Sequence, residues 1–300
     1  MQIEDMEIGV VVPSLLYAPI WIAERSGFLA DEGLRVRLHS FGSTDRVTEA
    51  LREGVVSVTV GSPEGTILDA LSGGDLRICS GFINKPPLSM IAQPRYRALT
   101  DLRGARLGTS SLKEGTCHLM ERMLAAHDLH QPKDFQFELA GAHPQRWKAL
   151  QAGTLDAAIQ LVPFNYMAEE AGFSNLGDVD EFVPDFLFCA VCTRLSWANA
   201  HAKQLTGLLR ALRRGTEALY EDPDGAAATI SSETQGNPEH ARRACRDLVA
   251  KKAIPKDLAV GSAAFAATID AMMHSGLIEV DGPKSSLSAC TDFRFLAAAA

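Results

Sequence analysis

A hydroxyl-rich segment in the middle of the chain carries the clearest chemical signal. Its small and hydroxyl-bearing residues stand directly before a predicted helix: Thr109, Ser110, Ser111, Gly115 and Thr116. Free backbone N–H groups, hydroxyl donors and the positive end of a helix dipole together favour an anion. Lys113 either adds a positive charge here or forms a solvated surface pair with Glu114. The segment predicts a cradle for an anionic or acceptor-rich group.

Three turns in the first part of the chain have the same small and polar character. Each follows a predicted strand and precedes a predicted helix, and together they supply Ser14, Leu16, Tyr17, Gly42, Ser43, Thr44, Gly61 and Ser62. Small residues let backbone N–H groups approach a ligand, although helix capping and ordinary turns use the same residue types. Turns after parallel strands meet at the carboxyl edge of a sheet, so we expect several of these residues to contact ligand.

Gln160, Phe164 and Cys117 are further candidates, and for Phe164 and Cys117 a role in packing is the alternative. Gln160 ends a predicted strand, and Phe164 follows it, where an aromatic ring either stacks on a flat ligand or packs within the protein. Cys117 is a weak candidate nucleophile, because a helix dipole lowers the pKa of a thiol in the first turn; the alternative is a small residue packed under the loop. The adjacent His118 would point elsewhere on the helix. With no triad, metal cluster or phosphate loop in the sequence, we expect neither a metal nor a cofactor.

The elements that hold these residues follow a repeated plan. Residues 8–63 have the pattern strand, helix, strand, helix, strand, and Ser43 and Gly54 are suited to cap the second helix. The plan recurs later in the chain, where ALREGVVSVTVGSP is matched by ALQAGTLDAAIQLVP. The repeat predicts an α/β protein of two Rossmann-like lobes, with a ligand cleft lined by turns from both.

Two extended segments are predicted to join the lobes. INKPPLSMIAQPR contains an apolar run flanked by prolines, which block helix on both sides, and PDFLFCAVCTR is the predicted return. We therefore expect a two-strand hinge. The predicted boundaries are 1–86 plus 194–300 for the first lobe and 87–193 for the second, with the C-terminal helices in the first.

Composition restricts the partners. A net charge of −8 gives no reason to expect nucleic acid or an anionic membrane surface as a partner. No apolar run approaches the ~20 residues of a membrane span. The opening MQIEDME has no features of a secretory signal, so the expected location is periplasmic if a signal was removed and cytoplasmic otherwise.

The six cysteines are interpreted as buried free thiols, because most lie in apolar runs. Cys189 and Cys192 have CxxC spacing within an apolar strand.

The segment YAPIWIAERSGFLADEGLRVRL resembles the type II periplasmic solute-binding proteins, in particular the sulfonate- and taurine-binding group and the NMT1/THI5-like proteins. DLRGARLGTSS, ALREGVVSVTVGSP and ALQAGTLDAAI extend the resemblance over most of residues 7–163. It implies two α/β lobes joined by two strands, which clamp a small organic anion or polar heterocycle: a sulfonate, a carboxylate or a thiamine-pyrimidine-like compound. For many members of the group the implied partner is the permease of an ABC importer.

The same resemblance leaves a second function open, because a minority of such relatives are enzymes. The alternative is therefore a decarboxylase-, desulfinase- or pyrimidine-synthase-like activity on the same fold. The sequence does not reproduce the Cys-rich motif of the pyrimidine synthases, which Cys189 and Cys192 resemble only in their position.

Overall fold

The computed structural model describes residues 3–110, 112, 115–234, 236–279 and 287–300. The strands are β1 (Glu4–Val10), β2 (Leu34–Ser40), β3 (Val58–Gly61), β4 (Leu76–Ile83), β5 (Leu88–Ala92), β6 (Ala105–Thr109), β7 (Phe135–Leu139), β8 (Ala157–Leu161), β9 (Ser174–Asp178) and β10 (Cys189–Arg194). The helices are α1 (Ala18–Arg25), α2 (Phe28–Asp31), α3 (Thr44–Glu53), α4 (Glu64–Leu71), α5 (Gly115–Ala125), α6 (His143–Gln151), α7 (Phe164–Glu170), α8 (Leu195–Ala200), α9 (Ala202–Glu221), α10 (Pro223–Thr234), α11 (Pro238–Ala250), α12 (Ser262–His274), α13 (Leu287–Cys290) and α14 (Arg294–Ala298). Short 3-10 turns span Leu15–Tyr17, Leu99–Leu102 and Val179–Glu181.

The chain divides into two compact units. The first contains Met1–Lys85, Leu187–Ala266 and Asp281–Ala300, and the second contains Pro86–Phe186 and Ala267–Val280. The last segment includes the second half of α12, which the sequence analysis placed with the other C-terminal helices in the first lobe. An amphipathic pattern predicts a helix but does not say which sheet its apolar face covers.

Each unit is built on a five-stranded mixed sheet. The strand order is β2-β1-β3-β10-β4 in the first unit and β7-β6-β8-β5-β9 in the second. The fourth strand, β10 or β5, runs antiparallel to both neighbours. The chain passes from the first unit to the second just before β5, and it returns to the first unit just before β10. Both strands lie in the segments that are predicted to join the lobes. All residues of β3, β5 and β8 are buried, as expected for central strands with both faces covered.

The repeat seen in the sequence is also a repeat of sheet register. Ile8 of β1 pairs with Val58 of β3, and Leu107 of β6 pairs with Ala157 of β8, so a shift of 99 residues converts one pair into the other. The same shift relates the pairing of β1 with β2 to that of β6 with β7. It also relates Gly42 to Gly141, and both of these glycines have φ of +78°. Positions related by this shift are called equivalent below.

The first strand begins earlier than the sequence predicted. The sequence predicts a strand from the apolar run that starts at Ile8, but β1 starts at Glu4 and includes most of the acidic opening. Asp5 forms ion pairs with Arg35 and Arg37 on β2, at 2.5 and 3.0 Å. Opposite charges on neighbouring strands stabilise the pairing, which explains how an acidic segment extends a strand.

Several predicted helix ends are confirmed. Ser43 caps α3, since its Oγ accepts a hydrogen bond from the Arg46 N–H, and Gly54 ends that helix with φ of +81°. Asn237 caps α11, and α9 ends before Asp222 as expected. Pro63, expected as the first residue of α4, instead occupies its N-cap. Within the described residues, none of the helices has the length and apolar character needed to cross a bilayer.

Candidate functional site

The predicted serines of the first unit already serve the turns in which they lie. Ser14 Oγ accepts a hydrogen bond from the Leu16 N–H at 3.2 Å, and Ser43 Oγ accepts from the Arg46 N–H at 3.4 Å. Ser62 Oγ donates to the carboxylate of Glu64. These interactions are N-caps or local turn contacts, which the sequence also allows as the alternative to ligand binding.

The two glycines at this edge present backbone rather than side chain. Gly42 has φ of +78°, a region that favours glycine, and a Cβ built on it would meet no atom within 4 Å. A Cβ on Gly61, at the end of β3, would likewise meet nothing within 4 Å. The carboxyl edge of the first sheet therefore leaves space in front of its backbone.

Leu16 and Tyr17 are core residues of the first unit. They are 3% and 4% exposed, and the Tyr17 ring lies 6.5 Å from that of Phe82. Burial is the main cause that raises the pKa of Tyr17, with Cys189 a smaller one. Thr44 is the first residue of α3, directly after its cap.

In the second unit, the hydroxyl-rich loop joins β6 to α5. Thr109 ends β6 and is completely buried; Thr116 lies in the first turn of α5 and is 6% exposed. Ser110 and Gly115 are partly exposed, whereas Ser111 and Lys113 lie outside the described residues. Cys117 is buried, and its Sγ lies 3.7 Å from Thr109 Oγ1, so the thiol packs against the end of β6.

A group of polar residues surrounds the carboxyl end of β8, and we call it the β8 polar cluster. It consists of Ser89, His143, Arg146, Gln160 and Asn165. Gln160 is completely buried, and neither atom of its amide makes a hydrogen bond of ordinary geometry with a described residue. Ser89 is its cross-strand partner on β5 and accepts a hydrogen bond from Asn165 Nδ2 at 3.1 Å. A buried polar group without a partner costs stability, which makes Gln160 the residue that calls for a functional explanation.

His143 supplies a neutral imidazole to this cluster. Its Nδ1 accepts a hydrogen bond from the Leu161 N–H at 3.2 Å, so the proton of the neutral ring is on Nε2. Burial, and secondarily the positive charge of Arg146, hold the pKa of His143 well below its ordinary value, although an interaction with Gln160 opposes this. The ring is therefore a neutral hydrogen-bond donor at pH 7.

Arg146 brings a buried positive charge to the same place. It is 2% exposed, and its Nη1 donates to the Ile159 carbonyl at 3.3 Å. Arginine is seldom buried this fully in a protein interior. The guanidinium, the Gln160 amide and the His143 Nε2–H together make the cluster rich in donors.

Gln160 is among the residues predicted from the sequence, whereas Arg146, Ser89 and Asn165 are not. Arg146 falls on the buried face of α6, one residue before Trp147, and a charge in that apolar stripe was a usable signal. Ser89 and Asn165 gave no such signal, because their positions depend on how β5 and α7 pack against β8. Phe164 and Trp147 both pack in the core beside Ile91, which supports the packing alternative for Phe164.

All six cysteines are free and buried. Burial is the main cause that raises the pKa of Cys192 to about 12, so this thiol stays protonated at neutral pH. Cys189 and Cys192 lie on the central strand β10 of the first unit, away from the predicted turns in sequence.

Comparison with known proteins places these features in a family context. The model of the family described as NMT1/THI5 like matches residues 16–226. The chain is 25% identical over 228 residues to a 4-amino-5-hydroxymethyl-2-methylpyrimidine phosphate synthase of Uromyces fabae. That match covers 71% of this chain and 65% of the relative, so it spans less than two thirds of the relative's length.

Solved structures share this fold. A protein of Bordetella bronchiseptica RB50 has a TM-score of 0.79 at 21% identity and covers 98% of this chain and 96% of its own. The periplasmic aliphatic sulphonate binding protein SsuA of Escherichia coli has a TM-score of 0.71 at 14% identity, with 97% and 96% covered. At these identities the comparisons establish the fold, and they confirm the predicted α/β periplasmic binding protein fold of two lobes.

Proposed function

Since the chain belongs to the NMT1/THI5-like family, we propose that it is a solute-binding protein for a small organic anion or a polar, acceptor-rich heterocycle. The observation that carries this proposal is Gln160, a completely buried amide at the carboxyl end of β8 with no hydrogen-bond partner of ordinary geometry among the described residues. A ligand that accepts and donates hydrogen bonds there would satisfy it.

The donors of the β8 polar cluster determine the proposed ligand class. Arg146 provides a permanent positive charge, and the neutral His143 ring provides an Nε2–H. Guanidinium groups bind carboxylate, sulfonate and phosphate oxygens through paired N–H donors. The start of α5, with Ser110 and Thr116, is proposed to add backbone and hydroxyl donors. This set favours an anionic or acceptor-rich group over a cation.

The first unit is proposed to provide shape rather than charge. Gly42 and Gly61 leave space before the backbone at the carboxyl edge of its sheet. Leu16 and Tyr17 are buried, and we propose that they act as packing residues of this unit.

Transport and location follow the binding proposal. The sulphonate-binding structural neighbour is periplasmic by description. We propose the same setting for this chain, with delivery of the ligand to the permease of an ABC importer.

A screen by thermal shift tests the binding proposal. The probes are ethanesulfonate, taurine, benzoate, and 4-amino-5-hydroxymethyl-2-methylpyrimidine, with choline as a cationic control. A probe at a hundredfold excess over its dissociation constant stabilises the protein by ~2.7 kcal/mol, which gives a clear rise in melting temperature. Stabilisation by an anion or the pyrimidine, and none by choline, supports the proposal; stabilisation by choline alone contradicts it.

The relation to the fungal pyrimidine phosphate synthase favours a second candidate, an enzyme on the same fold. Cys117 is the weak candidate nucleophile for such an activity, but it is buried against Thr109. Each probe that binds is recovered and analysed by mass spectrometry. An unchanged probe supports the binding protein, and a product that disappears in Cys117→Ser supports the enzyme.

A further inference from the structure

Helices α5 and α12 of the second unit bring two histidines and a glutamate together outside the β8 polar cluster. His118 and Glu121 are three residues apart on α5, so they lie on one face of that helix. His274, the last residue of α12, places its Nε2 3.0 Å from Glu121 Oε2. The ring centroids of His118 and His274 are 5.2 Å apart.

The buried ring of His118 has one nitrogen that none of the described residues contacts by a hydrogen bond. Its side chain is 7% exposed, and Nδ1 is buried without a hydrogen-bond partner among the described residues. Imidazole nitrogens are common ligands of transition-metal ions.

The three side chains line a cavity of about 440 Å³. Its other ionisable lining groups are Arg122, His130 and Asp270. The lining therefore includes two carboxyl groups, those of Glu121 and Asp270, and one guanidinium, that of Arg122. Carboxylate oxygens are suited to bind a cation. The volume also leaves room for water molecules that complete a coordination sphere.

We propose that His118, Glu121 and His274 bind one divalent transition-metal ion, with Zn²⁺ the best match. Two imidazoles and a carboxylate are a common zinc ligand set with one position left for water, whereas Mg²⁺ and Ca²⁺ prefer oxygen ligands alone. The candidate ligand atoms all lie within 4.8 Å of one another. In a tetrahedral zinc site they would be ~3.4 Å apart. The His274 side chain is 61% exposed at the end of its helix, so it has room to rotate towards this spacing.

Such an ion would crosslink α5 to the part of α12 that belongs to the second unit. It would bind to the folded chain only, because the ligands come from positions more than 150 residues apart in the sequence. Binding therefore stabilises the fold by mass action. This site is separate from the proposed solute site, and its test does not depend on identifying the solute.

The test uses full-length protein without a histidine tag, stripped of metal with a chelator. Calorimetric titration with Zn²⁺ is expected to show one ion per chain. Both His274→Gln and Glu121→Gln are expected to weaken that binding at least tenfold. The matched control is His127→Gln, which changes an exposed histidine just beyond α5 that does not line the cavity.

Two further readouts separate binding at this site from other effects. Zn²⁺ is expected to raise the melting temperature of the wild type and of His127→Gln but not of His274→Gln. Co²⁺ in the site is expected to give visible absorption without a thiolate charge-transfer band. Absence of Zn²⁺ binding, equal binding by the wild type and both ligand variants, or a thiolate band that assigns the ion to cysteine would each overturn the proposal.

Discussion

Helix α3 in the first unit and helix α6 in the second occupy equivalent positions, but their buried faces differ in chemistry. Val47 of α3 is an ordinary core residue at 5% exposure, whereas the equivalent Arg146 is a buried cation. At the end of the neighbouring central strand, Gly61 in the first unit is equivalent to Gln160 in the second. At these two pairs of equivalent positions the scaffold is repeated, but only the second unit has a polar side chain.

This difference also separates polar groups that stabilise the fold from one that costs stability. In the first unit, the hydroxyls of Ser14 and Ser43 complete helix caps, which stabilises the fold. In the second unit, the completely buried amide of Gln160 makes no hydrogen bond of ordinary geometry with a described residue, which costs stability. Natural proteins tolerate such local costs mainly at functional sites. The second unit is therefore our candidate for ligand recognition through hydrogen bonds and charge.

The largest expected effect on stability comes from replacing Arg146 of α6 with valine, the residue at the equivalent position of α3. Arg146→Val removes the donor to the Ile159 carbonyl and most of a large buried side chain. We expect the free energy of unfolding, measured by urea denaturation, to fall by about 3 kcal/mol. Val47→Ala in the first unit should cost about 1–2 kcal/mol. Equal losses in the two variants would show that the guanidinium contributes nothing beyond its packing.

The next effect is a pH dependence confined to the second unit. His143 has its pKa held well below the ordinary value by burial and by Arg146, while the equivalent Thr44 does not titrate. Below about pH 6.5 the unfolded state binds a proton that the folded state does not. His143 therefore lowers the free energy of unfolding by up to ~1.4 kcal/mol per pH unit as the pH falls through this range, until the folded-state pKa is reached.

His143→Asn keeps an acceptor for the Leu161 N–H but does not titrate. In urea denaturation at pH 7.5, 6 and 5, we expect the variant to lose less stability than the wild type on acidification. Thr44→Asn is the control at the equivalent position, and its slope with pH should match that of the wild type. A slope for His143→Asn that equals the wild-type slope would contradict the account of this imidazole.

The smallest stability effect concerns the helix caps. Ser43 caps α3, whereas the equivalent Ala142 before α6 has an extended backbone and no capping side chain. Ser43→Ala should lower the free energy of unfolding by about 1 kcal/mol, and Ala142→Ser should raise it by several tenths. Calorimetric melting of both variants checks the pair. A loss of stability in Ala142→Ser would mean that the two turns are not equivalent.

Much of the fold could be predicted from the sequence because its signals are local. Ser43, Gly54 and Asn237 mark helix ends through short-range capping, and the alternation of apolar and polar residues marks the strands. The assignment of the second half of α12 to the second unit could not be predicted in this way. It depends on contacts between residues far apart in sequence, such as His274 and Glu121.

The candidate site shows the same limit. Gln160 was predicted from its place at the end of a strand, and the hydroxyl-rich loop from its composition. Ser89 becomes its neighbour only because β5 pairs antiparallel with β8. Whether a turn serine caps a helix or meets a ligand also depends on geometry, and Ser14 and Ser43 take the capping role.

The central claim is that the β8 polar cluster binds the solute, and Gln160→Leu tests it most directly. The measurement compares urea denaturation and calorimetric titration with the probe that binds most tightly in the thermal-shift screen. The matched control is Gln93→Leu in the same unit, where the amide Nε2 donates to the Leu150 and Leu155 carbonyls at 2.6 and 3.0 Å. We predict that Gln160→Leu weakens probe binding at least tenfold while the free energy of unfolding stays unchanged or rises by up to about 1 kcal/mol, because Gln160 makes no hydrogen bond of ordinary geometry with a described residue. Gln93→Leu should instead lose about 1–2 kcal/mol of stability and keep its affinity. Normal probe binding by Gln160→Leu, or a loss of stability as large as that of Gln93→Leu, would contradict the claim.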